Sequence, residues 1–179
     1  MVYMYKYNFR KRLLYLGLGI VVFLIFFIIG TSVTLDESTS TLLKEQFQNK
    51  IKNIDSVGIF LNNFLISILM FLPGIGIAFG LFSGFSTGNI FMILTRDLPI
   101  QIPPLLVFLT IFGIMELVSY GIAISRSYLL LIRILKRSNI KESLIHTGIE
   151  IGIVAIILLF GAIIEWDLIV QSGGINFLE

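Results

Sequence analysis

Four polar side chains stand inside long apolar stretches of this chain: Asn62, Asn63, Glu116 and Glu165. Carboxylate and amide oxygens are hard ligands for a cation, and a carboxyl group can also carry a proton. An ionisable side chain deep in a membrane costs about 2.5–3.5 kcal/mol on insertion scales, so each needs a physical reason to be there. Three interpretations are open: neutral or amide-bonded struts that fix helix register, a cation or proton site, and paired carboxylates that perform hydrolysis.

The hydrolytic interpretation has the least support from the rest of the sequence. No H-E-x-x-H or G-x-S-x-G motif accompanies the glutamates, and the chain has a single histidine, His146. We expect His146 to lie at the membrane interface, where Glu150, one turn later, could hydrogen-bond to it. The absence of cysteine excludes disulfides, thiolate metal sites and cysteine nucleophiles. We therefore expect no catalytic residue, no bound metal, no cofactor and no nucleic-acid partner.

Composition indicates a membrane protein. Of the 179 residues, 56% are hydrophobic and only 13% are charged, whereas soluble domains carry roughly 25% charged residues. A spanning helix needs about 20 apolar residues, and most of the chain divides into such runs. Because no room is left for a separate soluble domain, we predict one all-α membrane helical bundle over residues 1–179.

Apolar runs predict five transmembrane helices, at about residues 13–30, 57–72, 75–94, 103–125 and 149–170. Pro73 and Gly74 separate the second run from the third, because proline removes a backbone donor and restricts the residue before it. The first run follows a basic cluster as in a signal peptide, but it is long and no A-x-A site follows it. We therefore expect an uncleaved first span.

Two connecting segments have patterns of their own. Residues 38–55 place apolar side chains near helical spacing, which predicts an amphipathic helix on the outer surface or on the bundle; the alternative is a solvated loop. Residues 126–147 are apolar and basic together, which predicts an inner surface helix touching anionic lipid; the alternative is a docking site for a partner. The basic residues assigned to the membrane surface are Arg126, Arg133, Lys136 and Arg137.

The distribution of lysine and arginine predicts a cytoplasmic N-terminus. In that orientation nine basic residues face the cytoplasm and four face outward, and the acids reverse this bias. The nine are Lys6, Arg10, Lys11, Arg12, Arg126, Arg133, Lys136, Arg137 and Lys141; the four are Lys44, Lys50, Lys52 and Arg96. Because this asymmetry requires an odd number of spans, we predict a multi-pass protein of the cell membrane with its C-terminus outside.

The predicted spans also give depths for the polar side chains. Counting about 1.5 Å per residue from the outer ends places Asn62, Asn63 and Glu165 roughly 8–10 Å deep and Glu116 roughly 10 Å deeper. No lysine or arginine lies at those depths, so we expect neither glutamate to have an ion-pair partner within the chain. Each carboxyl group is then protonated, bonded to an amide, or facing water or a cation.

A row of glycines runs through the third predicted span at intervals of four residues: Gly76, Gly80, Gly84 and Gly88. On a helix this spacing makes a groove that lets a neighbouring helix approach closely, a main source of helix association in lipid. Gly113 lies on another small-residue face in the fourth span, and Gly148 with Gly152 on one in the fifth. We expect packing within the chain to use these faces first, with a homodimer interface as the alternative.

Around its intramembrane polar residues and its glycine-rich span, the chain resembles the stage II sporulation protein M family. The family's asparagine pair at the start of a span is matched by Asn62 and Asn63 in IFLNNFLISIL, which a glycine-rich span follows. The family's PHG..E motif is matched in TIFGIMELVSYGIAIS, which retains Gly113 and Glu116 but has isoleucine and phenylalanine in place of the proline and histidine. The changed positions weaken the transfer of any site built on that histidine.

A third patch, the family's terminal A..IE element, is matched by Ala162 and Glu165 in GAIIEWD, so the likeness covers roughly residues 55–171. In sporulating bacteria, members of this family sit in the membrane with partner proteins that degrade cell wall during engulfment. That role implies a scaffold rather than an enzyme, although relatives also occur in organisms that make no spores.

Together these observations favour a non-enzymatic membrane scaffold that holds membrane protein partners, lipid or a second copy through glycine-lined and surface-helix faces. The alternative is a small transporter or channel for a cation or proton that uses Glu116 and Glu165. A membrane-embedded hydrolase is the third interpretation, and it lacks a nucleophile with a base.

Overall fold

A computed structural model describes residues 9–52, 54–96, 98, 102–138 and 140–172. The helices are α1 (Phe9–Ser32), α2 (Glu37–Ile51), α3 (Ser56–Met70), α4 (Ile75–Thr95), α5 (Ile111–Leu135) and α6 (Lys141–Gln171). A 3-10 helix over Pro104–Leu109 lies between α4 and α5. No strand occurs within these ranges, which confirms the all-α prediction.

Four of the helices are long and apolar enough to cross a membrane, namely α1, α4, α5 and α6. The apolar helix α3 is shorter, with 15 residues. At 1.5 Å per residue it is about 22 Å long, whereas the hydrocarbon core of a bilayer is about 30 Å thick. The lengths fit a helical bundle in a membrane, and a count of five spans depends on α3.

Helix α5 lies at the centre of the bundle and contacts α1, α3, α4 and α6. Phe23 and Phe27 of α1 are fully buried. Their rings lie 6.0 and 4.8 Å, centroid to centroid, from that of Phe108 in the 3-10 helix. Phe23 also lies 5.2 Å from the ring of Tyr120 in α5. This aromatic core lies toward the end of the bundle that carries α2, called the α2 end below.

The glycine row of α4 lies entirely in the interior, where Gly76, Gly80, Gly84 and Gly88 are all buried. A Cβ atom on Gly84 would lie 2.8 Å from the backbone oxygen of Phe23, and one on Gly88 only 2.1 Å from that of Phe27. No side chain fits at such distances, so the backbones of α1 and α4 meet directly along this face. The other two glycines of the row face α5 and the end of α3.

The turn between α3 and α4 lies at Pro73 and Gly74, as the sequence predicts. Gly74 adopts a φ angle of 76°, in the region that side chains rarely occupy. The hairpin is fixed further by Ser127 of α5, whose Oγ donates a hydrogen bond of 2.5 Å to the backbone oxygen of Leu72. α4 therefore returns alongside α5 from a fixed starting point.

Both ends of α5 differ from the expected fourth span, and α6 begins at Lys141 rather than 149. The fourth apolar helix begins at Ile111 rather than 103, because Pro103 and Pro104 lead into the 3-10 helix and Thr110 starts a new helix. The Thr110 Oγ1 accepts a hydrogen bond of 3.0 Å from the backbone of Gly113. Since no helix breaker follows Ser125, α5 continues to Leu135. Residues 126–135 are thus the last turns of α5 rather than a separate surface helix.

Candidate functional site

Three of the four polar side chains singled out in the sequence meet between α3 and α5, where Tyr120, which the sequence pattern did not indicate, joins them. We call Asn62, Asn63, Glu116 and Tyr120 the amide cluster. The Asn63 side-chain amide donates a hydrogen bond to the Glu116 carboxyl group. Its oxygen accepts hydrogen bonds of 3.1 Å from the Asn62 amide and 3.4 Å from the Tyr120 hydroxyl. Asn63 is therefore the centre of the cluster, and it joins the two helices.

Helix caps place these side chains at one level. The Asp55 carboxylate accepts a hydrogen bond of 2.8 Å from the backbone of Gly58 and starts α3, which puts Asn63 at the end of its second turn. Thr110 starts α5, which puts Glu116 in the second turn of that helix. The expectation that Glu116 lies roughly 10 Å deeper than Asn63 is therefore wrong, because it counted from residue 103 as if the helix began there.

A cation also reaches the cluster. The Lys50 ammonium group, near the end of α2, donates a hydrogen bond of 2.6 Å to the Asn62 side-chain oxygen. The expectation that no basic side chain lies at this level missed Lys50, because α2 folds back over the start of α3. A continuous hydrogen-bonded chain thus runs from the exposed Lys50 through Asn62 and Asn63 to Glu116.

Glu165 completes the set that the sequence predicts. Its carboxyl group is half-buried on α6. It is close enough to interact electrostatically with both Glu116 and Tyr120. Two carboxyl groups therefore lie near one cluster of hydrogen-bonding groups. Such an arrangement can hold a proton or a cation, or it can fix the register of three helices through neutral hydrogen bonds.

A second charged group lies at the opposite end of the bundle, and we call Arg12, Arg126 and Glu150 the arginine lock. Arg12 donates from Nε and Nη2 to the two oxygens of Glu150, each at 2.7 Å. Arg126 donates from Nε to Glu150 Oε2 at 2.7 Å and from Nη2 to Oε1. One carboxylate therefore receives two bidentate guanidinium groups, the geometry that makes arginine pairs strong and specific.

The lock is buried between three helices. Arg12 of α1, Arg126 of α5 and Glu150 of α6 are 8%, 3% and 9% exposed. Arg12 also donates to Ser125 Oγ at 2.6 Å and to the backbone oxygen of Ile122 at 3.1 Å. Both guanidinium groups bond to the same carboxylate, so Glu150 is the anion that compensates both positive charges in the lock. Removing it would leave two buried guanidinium groups uncompensated.

The lock corrects the predicted place of Arg126, which is buried rather than at the membrane surface because Glu150 draws it into the bundle. Of the other three, Arg133 is half-buried, and Lys136 and Arg137 are exposed at the end of α5. Glu150 bonds to the arginines, while His146 Nδ1 lies 2.7 Å from the backbone oxygen of Glu142. One sequence signal could have predicted the lock. Glu150 is predicted at the same membrane depth as Arg12 and Arg126, which belong to other helices.

The structure brings the remaining predicted packing glycine against the 3-10 helix. A Cβ atom on Gly113 would lie 2.3 Å from the backbone oxygen of Val107. This contact sets the start of α5 and hence the position of Glu116. Among the described residues, no group of three or more His, Cys, Asp or Glu side chains could hold a metal ion.

Comparison with protein families assigns the chain to a known family. The family model described as stage II sporulation protein M matches residues 19–165. The chain belongs to the stage II sporulation protein M family. The match runs from the middle of α1 to Glu165 and so includes the amide cluster, Glu150 and Arg126, while Arg12 lies before it. No curated protein and no solved structure matched this member of the family.

Proposed function

We propose that this protein is a non-enzymatic scaffold in the cell membrane. One observation carries the proposal: all three buried ionisable groups of the arginine lock bond to one another across three helices. Such ion pairs hold the helices together as a rigid body, and they leave these groups bonded rather than available for a reaction. The Asn63–Glu116 bond serves the same purpose at the α2 end. A rigid bundle suits a protein whose task is to present fixed surfaces to partners in the membrane.

In this proposal the chain crosses the membrane five times, at α1, α3, α4, α5 and α6. The start of α1 lies in the cytoplasm and the α2 end lies outside, in keeping with the bias of lysine and arginine. Reporter fusions after Ser32, Gly74, Arg96, Arg137 and Gln171 test the arrangement. Outside, inside, outside, inside and outside is the expected order, and a cytoplasmic report after Gln171 would exclude it.

Glycines have two roles in this scaffold. The row in α4 packs α1 and α5 within one chain, which is why its substitution should loosen the bundle. The pair Gly148 and Gly152 on α6 is exposed, and Cβ atoms there would meet nothing within 4 Å. We assign this open face to a membrane protein partner or a second copy of the chain, since small residues allow close approach of a helix.

The exposed basic side chains at the end of α5, Lys136 and Arg137, would contact anionic lipid.

The partner assignment is tested by self-association and by co-purification from the native membrane. Gly148→Leu and Gly152→Leu should reduce dimer formation in lipid, measured by energy transfer between labelled copies, or the recovery of a partner. Gly17→Leu is the matched control, because a Cβ atom at Gly17 also meets nothing within 4 Å but lies on α1. Equal association of all three variants would remove the α6 face from the proposal.

The alternative function is transport of a cation or proton, and the hydrogen-bonded chain of the α2 end favours it. That chain links the exposed Lys50 to Glu116, and Glu165 stands near the same carboxyl group. Carboxyl groups connected to the surface in this way occur in proton relays. The scaffold and the transporter therefore assign different roles to the same residues.

Ion flux through the purified protein in liposomes decides between the two. A scaffold carries no flux, and its Glu116→Gln and Glu165→Gln variants fold and keep their partners, because an amide can still hydrogen-bond. A transporter shows cation- or pH-dependent flux that either variant abolishes while folding survives. Flux that persists in both variants would remove the two glutamates from any transport site.

A further inference from the structure

A cavity of about 570 Å³ lies at the α2 end, away from the amide cluster. Its walls are the segment after α1, the inward side of α2 and the last two turns of α4. The volume is within the range of roughly 300–1,000 Å³ that small-molecule sites occupy in proteins. Neither the scaffold nor the transport interpretation uses this cavity.

Helix α2 turns a polar stripe toward the cavity. Glu37, Ser40, Thr41 and Lys44 are spaced by three or four residues and all line the cavity. Leu42, between them in sequence, is 55% exposed on another side of the helix. Of these four, Glu37 and Thr41 are exposed and Ser40 and Lys44 are half-buried, as are the apolar Leu43 and Phe47. The α2 wall of the cavity is therefore polar.

The inner end of the cavity holds an acceptor without a partner. Asn89 of α4 is 7% exposed and lies about 10 Å below Arg96 along the helix. Its side-chain nitrogen donates to the backbone oxygen of Phe85 at 3.3 Å, while its oxygen has no hydrogen-bond partner in the described part of the chain. Because a buried acceptor left unbonded is costly, a donor in the cavity would stabilise Asn89.

Charges of both signs line the same space. Glu37 stands on α2 and Arg96 at the end of α4, and Lys44 adds a second cation. Within the residues that the structure describes, neither Glu37 nor Arg96 forms an ion pair. Since Glu37 and Arg96 do not neutralise each other, a ligand with an anionic group and a cationic group complements both.

We propose that this cavity binds a small zwitterion. Its anionic group, a carboxylate or a phosphate, pairs with Arg96, and its ammonium group donates to Glu37. A rotation of the Asn89 side chain would bring its buried oxygen to the same ammonium group. Two sources share this chemistry: a free zwitterion such as an amino acid, and the phosphoethanolamine headgroup of a lipid. The site stands independently of the scaffold proposal, because it uses none of the residues that carry it.

The test is calorimetric titration of the full-length, delipidated protein in detergent with O-phosphoethanolamine, inorganic phosphate and ethanolamine. We expect the intact zwitterion to bind and each half-molecule to bind at least about tenfold more weakly. Arg96→Gln and Glu37→Gln should each weaken binding about tenfold, and Asn89→Leu, which keeps the branched shape but removes the polar atoms, should weaken it as well. Lys136→Gln at the opposite end is the matched control and should bind as the wild type does.

Two results would overturn the proposal. One is the absence of O-phosphoethanolamine binding at millimolar concentration in a folded protein, and the other is equal binding of inorganic phosphate alone. The same titration in nanodiscs separates the sources. If phosphatidylethanolamine nanodiscs abolish binding and phosphatidylglycerol nanodiscs do not, the headgroup occupies the cavity. If binding persists in both, the ligand is a free zwitterion.

Discussion

The guanidinium group of Arg12, in the first turn of α1, donates hydrogen bonds to both carboxylate oxygens of Glu150, 138 residues later in the chain. Because this pair joins the beginning of the chain to its last helix, it closes the bundle at the end opposite α2. Arg126 shares the carboxylate and ties the central helix α5 into the same contact. The order of the helices around α5 is therefore fixed by a charge contact as well as by packing.

Glu150→Gln should destabilise the bundle by about 3–5 kcal/mol, because it leaves two buried guanidinium groups without their anion. Thermal or denaturant unfolding in detergent measures the change. Glu142→Gln is the control, since Glu142 is exposed on the same helix. Equal stability of the two variants would show that the lock contributes nothing to the fold.

Gly88→Ala should destabilise the protein by about 1–3 kcal/mol, the usual range for overpacking, because the new methyl group would lie 2.1 Å from the Phe27 backbone oxygen. Gly152→Ala makes the same chemical change on α6 where nothing lies within 4 Å, so it should leave the unfolding free energy unchanged or slightly higher. If both variants unfold alike, the backbones of α1 and α4 are not in direct contact.

Asn63→Leu should cost about 1–3 kcal/mol, because it removes the centre of the amide cluster and leaves the Glu116 carboxyl group without its donor. Tyr120→Phe removes only the long 3.4 Å hydrogen bond, so it should cost about 0.5 kcal/mol. Unfolding of the two variants beside the wild type gives the comparison. A larger loss for Tyr120→Phe than for Asn63→Leu would contradict the central place of Asn63.

At the start of α2, the Ser38 hydroxyl and the Thr39 backbone N–H bond to Asp36 and lower its pKa from 3.8 to about 2. Since the pKa falls on folding, the cap contributes its full stability above about pH 4 and loses it as the pH drops through about 2. An NMR titration of the Asp36 carboxyl group should give a midpoint near 2. Ser38→Ala should move it toward 3.8, and an unchanged midpoint would exclude the hydroxyl as the main cause.

Local pattern was enough to predict the helices but not where each one starts. The apolar runs and the Pro73–Gly74 break gave α1, α3 and α4 within four residues at each end. They also gave the end of α6 within one residue, but α6 begins at Lys141, eight residues before the predicted start. The fourth run misled the prediction because its first residues are as apolar as a span but form a 3-10 helix after two prolines. Because the helix was assumed to begin at residue 103, the predicted membrane depth of Glu116 was about 10 Å greater than that of Asn63.

The sequence predicted most of the amide cluster but not the arginine lock. Asn62, Asn63 and Glu116 stand out because each is polar within an apolar run, whereas Tyr120 does not, because an aromatic residue is ordinary in such a run. The lock does not, because its arginines sit in ordinary basic clusters and pair with an acid 24 and 138 residues away. Only the packing of α1, α5 and α6 decides that these charges turn inward instead of toward lipid headgroups.

The shortness of α3 has a consequence for the lipid around the protein. Leu61, Leu65 and Leu69 form an exposed apolar row on this helix, 48%, 61% and 42% accessible. In the five-span arrangement the bilayer beside them meets a hydrophobic wall about 22 Å tall, while the neighbouring helices suit a thicker one. In that arrangement acyl chains on that side would compress, so we expect the bilayer to be thinner on one flank of the protein and the protein to favour thin bilayers.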